Sequence, residues 1–331
     1  MLARMKVVAM RGAGGPDVLA IEERPAPPIG EGEVRIEVAA TGLNRADLMQ
    51  RRGFYPAPPG TVPDVGGLEY AGTIIEVGEG VARTRIGDRV MGLVPGGAMS
   101  TELVVADAET MPVPEPLSLV EAAAVPEVFA TVWDAVWIQA GLRRGQTLLV
   151  HAIGSGIGTA AIQLARAFGA RILGTSRSAG KLERCREMGL MDGIVVEKDH
   201  SFAAKVSELT SGANADVILD TVGAAYLEDN VRALAHRGTM VTIGLVGGIQ
   251  GTLPLGVLLG KRARIIGSTL RSRGSSEKRA LAEAFTRELV PLFDDKTLAP
   301  VIENVMPMGD VAKAHTVLES NETFGKIVLT W

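Results

Sequence analysis

Apolar and polar residues alternate one for one early in the chain, where Val34, Ile36 and Val38 take turns with Glu33, Arg35 and Glu37. A period of two places one side-chain set on a buried face and predicts a half-buried strand. Further short strands are predicted in GLEYAGTIIEVGEGV and GDRVMGLV, separated by glycine turns. Between them, RPAPPIGEGE and FYPAPPGTVPDVGG read as surface loops. The character changes near Pro116, where Ser118 and Glu121 form a capping-box pattern ahead of an alanine-rich run, predicting that a helix starts there.

From Thr147 the period switches repeatedly. TLLVH precedes a helical stretch to Phe168, RILGT precedes Lys181–Met188, and GIVV precedes Phe202–Leu209. DVILD then precedes Tyr226–Leu234, and TMVTIG leads through a connection to ARIIGSTL. Short β-branched runs alternating with amphipathic helices imply parallel βαβ units and a doubly wound sheet. After Ser272 the pattern predicts a helix over Glu277–Phe293, the segment VIENVMPM, another helix and a last strand KIVLTW. This tail resembles the first third more than the middle. The α/β chain therefore reads as a nucleotide-binding domain, residues 126–270, inserted into a discontinuous β-rich domain, residues 1–125 and 271–331.

Composition narrows the function. A length of 331 residues accommodates two domains, and 47% hydrophobic residues with a net charge of −4 exclude a disordered chain. One cysteine, Cys185, excludes an internal disulfide and cysteine-rich zinc lobes, and suits a reducing compartment. The mild acidity and 13 aromatic residues argue against nucleic-acid or anionic-lipid partners. The stretch MLARMKVVAMRGAGG has too short an apolar run for a secretory signal. Gly145–Ala165 and Gly238–Gly260 lack charge, but glycine and Pro254 punctuate them as strand–turn–helix segments of a core. No membrane span is expected, and the cytoplasm is the expected compartment. Glycine is in surplus, 40 residues.

The surplus concentrates where chemistry is expected. In VHAIGSGIGTAAIQLA a strand runs into a glycine turn and a small-residue helix, where backbone N–H groups can face a pyrophosphate. Counted from Gly154 the spacing is G-x-G-x-x-T, with Thr159 at the third glycine position, and Ala160 and Ala161 leave room for close helix–strand packing. A dinucleotide site that favours NAD places a carboxylate about 20 residues on to hold the ribose 2′-hydroxyl. Here that region is GTSRSAGK, with Ser176, Arg177 and Lys181 and no acid. Arginine suits a 2′-phosphate, so NADP(H) is the expected cofactor.

Across nearly the whole length the chain resembles the zinc-independent quinone oxidoreductases of the medium-chain dehydrogenase/reductase superfamily, zeta-crystallin-like and nearest to the p53-inducible quinone oxidoreductase type. The resemblance is carried by GLNRADLMQRRGFYPAPPG, GLEYAGTIIEVGEGV, LVEAAAVPEVFATVW, HAIGSGIGTAAIQLA, IGLVGG, GSTLRSR and FGKIVL. It implies a Rossmann domain inserted into a GroES-like domain, a homodimer or tetramer, and NADPH-dependent reduction of a small quinone or other electron-poor acceptor. Asn44 and Leu68 stand where zinc-dependent relatives carry a cysteine and a histidine ligand, and the four histidines show no ligand spacing, so no metal is expected. Gly154, Ser155, Gly156, Ile157 and Gly158 would line the pyrophosphate, and Thr131 would approach the nicotinamide. Gly223 would lie near the adenosine, with Ile243, Gly244 and Leu245 at the fifth strand's end. Ser268, Thr269, Leu270 and Arg271 resemble the nicotinamide-pocket segment, and Lys326 resembles a cofactor-proximal lysine. Val195–Lys198 departs from an Asn-Tyr pair that relatives often carry beside the adenine.

A quinone accepts hydride readily and leaves a stable oxyanion, so no strong acid is obligatory. Asn44 and Tyr55 are the candidate polar groups toward the substrate, Asn44 as hydrogen-bond donor or turn residue, Tyr55 as polarising hydroxyl, ring guide or packing residue. The alternative functions are reduction of an enoyl or alkenal double bond, or a non-catalytic NADPH- or RNA-binding role.

Overall fold

The computed structural model describes residues 4–197 and 199–331. Backbone contacts divide the chain into two compact units, Met1–Ala130 with Leu270–Trp331, and Thr131–Thr269. The chain thus leaves the first unit within the helix Pro126–Trp133 and returns to it at Leu270.

In the first unit a seven-stranded sheet runs in the spatial order Ile302–Pro307, Lys326–Thr330, Glu33–Leu43, Glu69–Val77, Arg89–Leu93, Thr110–Pro112, with Glu102–Ala106 also paired to Glu33–Leu43. All its pairings are antiparallel except that of Ile302–Pro307 with Lys326–Thr330. The alternation at the start of Glu33–Leu43 behaves as expected, since Val34, Ile36 and Val38 enter a core with Tyr70 and Ile74. The later half of that strand, Ala40–Leu43, is buried throughout, with the Ala123 backbone against Gly42 and Leu43 in a core with Val311 and Ala314. A separate hairpin, Arg4–Met10 with Leu19–Pro25, joins the sheet's neighbourhood through bridges Val7–Ser100 and Ala9–Val65.

The second unit is a parallel six-stranded sheet in the order Asp192–Val195, Arg171–Ser176, Thr147–Val150, Ala215–Asp220, Leu234–Thr242, Arg264–Gly267. Numbered along the chain, this is the 3-2-1-4-5-6 doubly wound order, whose direction of winding reverses between Thr147–Val150 and Ala215–Asp220. Leu149, Leu173, Ile194, Ile218 and Met240 join Phe202 and Val206 in one core. Both uncharged windows are absorbed by strands and short helices, and no helix of the described residues is long and apolar enough to cross a membrane. Cys185 is fully buried, and its Sγ lies 3.6 Å from the Ile153 carbonyl oxygen.

Two helices differ from expectation. The run that begins after the Ser118 cap lasts only Leu119–Ala122 before the chain restarts as Pro126–Trp133. Pro126 has no N–H for a bond to Ala122, so a continuous helix would lose a rung and crowd its ring against that carbonyl. The predicted Glu277–Phe293 helix is two, Ser275–Glu288 and Val290–Asp294, broken ahead of Pro291 for the same reason. The second break seats Phe293 edge-on against Phe129, with ring centroids 4.8 Å apart.

Candidate active site

One candidate site lies wholly in the parallel-sheet unit. Thr147–Val150 ends at His151, and Ala152 turns the chain with a φ of 51°. A non-glycine residue in this left-handed region is held there by its surroundings, and such strain gathers at ligand sites. The Ser155 hydroxyl accepts the Gly158 N–H at 3.2 Å and caps the 13-residue helix Gly156–Phe168. A Cβ on Gly158 would collide with the Ile153 backbone, so the close helix–strand approach is made at Gly158 rather than at Thr159. Gly154 to Gly158 therefore form the turn that opens a helix N-terminus, where free N–H groups and the helix dipole favour an anion.

Neighbouring turns complete a crevice at the carboxyl ends of the strands. Asp220 Oδ1 accepts from Val222 N (2.8 Å) and Gly223 N (3.1 Å), fixing the turn after Ala215–Asp220. Gly223 has a φ of 81°, and a Cβ on it would sit 2.8 Å from Leu245 and 2.9 Å from the Gly248 carbonyl. Ile243 N donates to Asp220 O at 2.8 Å, so Ile243, Gly244 and Leu245 lie beside Gly223. On the other side of the glycine loop, Ile153 N donates to Thr175 O, and Ser176 ends the strand with Arg177 just past it. Ser176 Oγ accepts from Ser178 N, and Arg177 is exposed. Lys181 sits in the first turn of the helix Ala179–Glu187.

Two hydroxyls in this unit are buried without a hydrogen-bond partner among the described residues, Thr131 Oγ1 and Thr221 Oγ1. A buried hydroxyl left unpaired costs roughly 1–3 kcal/mol, which a ligand's polar atom would relieve. Thr131 was expected toward the nicotinamide; Thr221 was not foreseen. The helix that begins at Pro126 widens into a π-helical turn over Asp134–Gln139, a distortion frequent at functional sites. Gln139 Nε2 donates to Ser268 Oγ at 2.7 Å and ties this turn to the Ser268–Thr269 segment. Open N–H groups, a basic strand end and orphan hydroxyls together fit a nicotinamide dinucleotide.

A separate cluster of polar side chains lies in the other unit. Lys326 Nζ is 2.6 Å from Glu69 Oε1 and 2.6 Å from Asn44 Oδ1, and it also donates to Leu43 O. The Asn44 amide nitrogen donates to Glu69 Oε1 (2.8 Å) and Gly42 O (3.2 Å). Both ends of the Asn44 side chain are thus engaged by protein, and its backbone N–H is held by Asp47 Oδ2 at 2.8 Å. Burial pushes the Asp47 carboxyl up to about 6, against the pull of the Gly67 and Asn44 N–H groups and Lys326. Glu69 Oε2 accepts the Glu127 N–H at 2.8 Å and so anchors the first turn of the helix Pro126–Trp133.

Above this network Arg271, 7% exposed, donates to Pro95 O, Tyr55 O and Gln50 Oε1. Its guanidinium lies 4.8 Å from the Tyr55 ring centre, and burial raises the Tyr55 hydroxyl's pKa. The Tyr55 hydroxyl takes no hydrogen bond from the described residues. Leu68, Val94, Ala130, Leu270, Arg271 and Glu127 line a cleft. Leu68 contributes only apolar surface there, and among the described residues no three His, Cys, Asp or Glu side chains cluster to hold a metal. Glu69 and Glu127 escaped sequence reading because a glutamate that opens a strand, or sits in a helix's first turn, is locally unremarkable.

Two family models match the chain, "Alcohol dehydrogenase GroES-like domain" over residues 30–115 and "Zinc-binding dehydrogenase" over residues 156–287. The quinone oxidoreductase of Pseudomonas aeruginosa is 33% identical over 327 residues, covering 98% of this chain and 99% of that protein. The crystal structure of the Pseudomonas syringae pv. Tomato DC3000 quinone oxidoreductase superposes with a TM-score of 0.89 at 30% identity, covering 99% and 100% of the two chains. The enoyl reductase JamJ, in its apo form, superposes with a TM-score of 0.88 at 25% identity over 99% of each chain.

Proposed function

We infer a specific reductase from this premise: the chain belongs to the medium-chain dehydrogenase/reductase superfamily, among its quinone oxidoreductase-like members. The family uses a nicotinamide cofactor, which supplies or accepts a hydride when bound. The reading proposed here is NADPH-dependent, metal-free reduction of a small quinone. What carries it is the end of the strand Arg171–Ser176, where Arg177 stands exposed beside the glycine turn and no carboxylate is offered to a ribose 2′-hydroxyl.

Each part of the site has a task in this reading. Gly154–Gly158 would hold the pyrophosphate, Ser176, Arg177 and Lys181 the 2′-phosphate, and Gly223 and Ile243–Leu245 the adenosine side. Thr131, Thr221, Ser268 and Thr269 would offer polar atoms around the nicotinamide. In the other unit, Tyr55 on Arg271 and Leu270 would border a flat, electron-poor acceptor, with apolar walls that exclude water. Asn44 and Lys326 act on this cleft through Glu69, which holds the helix bearing Glu127. Leu68 and the engaged Asn44 amide support a site that works without zinc.

Steady-state oxidation of NADPH with p-benzoquinone and larger quinones, alongside enals and enoyl thioesters, tests the reading. Quinone turnover with NADPH preferred over NADH is the expected result. An enoyl thioester turned over far faster than every quinone would establish instead the second reading, double-bond reduction, which the full-length similarity to an enoyl reductase favours. NADPH binding without turnover on any acceptor would leave a non-catalytic binding role.

A further inference from the structure

Two acids line the cleft, Glu109 and Glu127, and Glu127 is the one whose helix the Glu69 network anchors. Glu127 has its backbone fixed by Glu69 Oε2, yet its own carboxyl takes no hydrogen bond from the described residues and lines the cleft with Leu68, Ala130, Leu270 and Arg271. We propose that Glu127 is the proton donor of this reduction, its carboxyl O–H bond breaking as the new bond to hydrogen forms on the reduced acceptor. The inference rests on the reductase reading above and names the group that finishes the reaction.

The protonation balance favours this role. Burial pushes the Glu127 carboxyl up to about 8, and Glu69 and Asp47 add like-charge repulsion, while Lys326 and Arg271 pull the other way. Tyr55, on the loop that Arg271 holds, feels the Glu127 charge, and Glu109, Arg273 and Lys278 are the other charged groups that line the cleft. The acid is therefore protonated at neutral pH, with a pKa close enough to 7 to give its proton up. General acids work best under that condition.

Atoms and electrons balance with the reductase reading. A hydride from reduced nicotinamide brings two electrons and one hydrogen to the acceptor, and the nicotinamide is oxidised. The second hydrogen is the Glu127 proton, which goes to the acceptor's oxyanion in a quinone or to the enolate left by a conjugated ketone. Glu127 is left as carboxylate and recovers a proton from water. A hydroquinone anion is stable and needs this proton least, whereas an enolate needs it most.

The test compares wild type with Glu127→Gln, which keeps the shape but cannot donate a carboxyl proton, and with Glu127→Asp, which can. The acceptors are methyl vinyl ketone and p-benzoquinone. For the wild type, kcat on the ketone should fall as pH rises through about 8. Glu127→Gln should lose that limb and lower kcat on the ketone by roughly 100-fold. Its loss on p-benzoquinone should be smaller, and its NADPH Kd unchanged. Glu127→Asp should retain the limb. Without cofactor, the infrared carbonyl band of a protonated carboxyl should disappear in wild type above that pH and be absent from Glu127→Gln. Unchanged kcat and pH profile in a folded Glu127→Gln, with wild type active, overturns the proton-donor role alone. A carboxyl band that Glu127→Gln fails to remove does the same. A wild type inactive on both acceptors overturns the reductase reading and this inference with it.

Discussion

Lys326 Nζ lies 2.6 Å from Glu69 Oε1, with the lysine 4% exposed and the glutamate not at all. Removing one partner of such a pair strands the other as a buried charge, at a cost of about 3–5 kcal/mol. Lys326→Met is therefore expected to lower unfolding free energy by that order in chemical denaturation. Lys326→Met with Glu69→Gln should recover much of the loss, because no charge is then left unpaired. Equal losses in single and double variants would mean that the pair is not coupled.

Arg177 is expected to select the cofactor. A charge-assisted hydrogen bond to a 2′-phosphate contributes about 1.5–3 kcal/mol, or roughly 10- to 100-fold in affinity. Arg177→Ala should weaken NADPH binding by that factor and leave NADH, which has a hydroxyl there, almost unaffected. Fluorescence titration with both cofactors reads the ratio directly. An unchanged ratio would move recognition to Lys181 or Ser176.

Acid should weaken the fold through His315. Arg51 Nη1 lies 3.2 Å from His315 Nδ1, and a guanidinium can only donate, so Nδ1 must carry the lone pair. Burial, then the Arg51 charge, holds the imidazole down to about 4 against an ordinary 6.5, with Glu319 opposing. The unfolded chain therefore binds this proton first. Stability is complete above about 6.5 and declines as pH falls toward about 4, by roughly 3 kcal/mol in all. His315→Gln should flatten that part of the stability–pH curve; an unaltered slope would assign it to other groups, His151 foremost.

The edge strand Arg264–Gly267 pairs only on one side among the described residues, and Leu255 (67% exposed), Leu259 (80%) and Ile265 (39%) lie bare near it. An open apolar edge of this kind invites a second copy of the chain. Wild type should sediment as a dimer and Leu259→Glu with Ile265→Lys as a monomer that still binds NADPH. A monomeric wild type would remove the homodimer expected from family resemblance.

The chain's local patterns determined a great deal unaided. Alternating Val34, Ile36 and Val38, the repeated switch of period after Thr147, and the turn Gly154–Gly158 are written in nearest neighbours, where backbone geometry fixes the side-chain period. They were enough for the doubly wound sheet and its place beside a β-rich unit. The tertiary structure decided what those neighbours cannot encode. Glu69 and Lys326 are 257 residues apart, and only the strand pairing Ile327 with Leu43 brings the lysine to Asn44 and Glu69. That meeting engages both ends of the Asn44 amide. It also anchors the helix at Glu127, whose carboxyl looks in sequence like any acid in a first helical turn. Its raised pKa comes from burial and from carboxylates on other strands and helices, and those distances exist only once the sheet has closed.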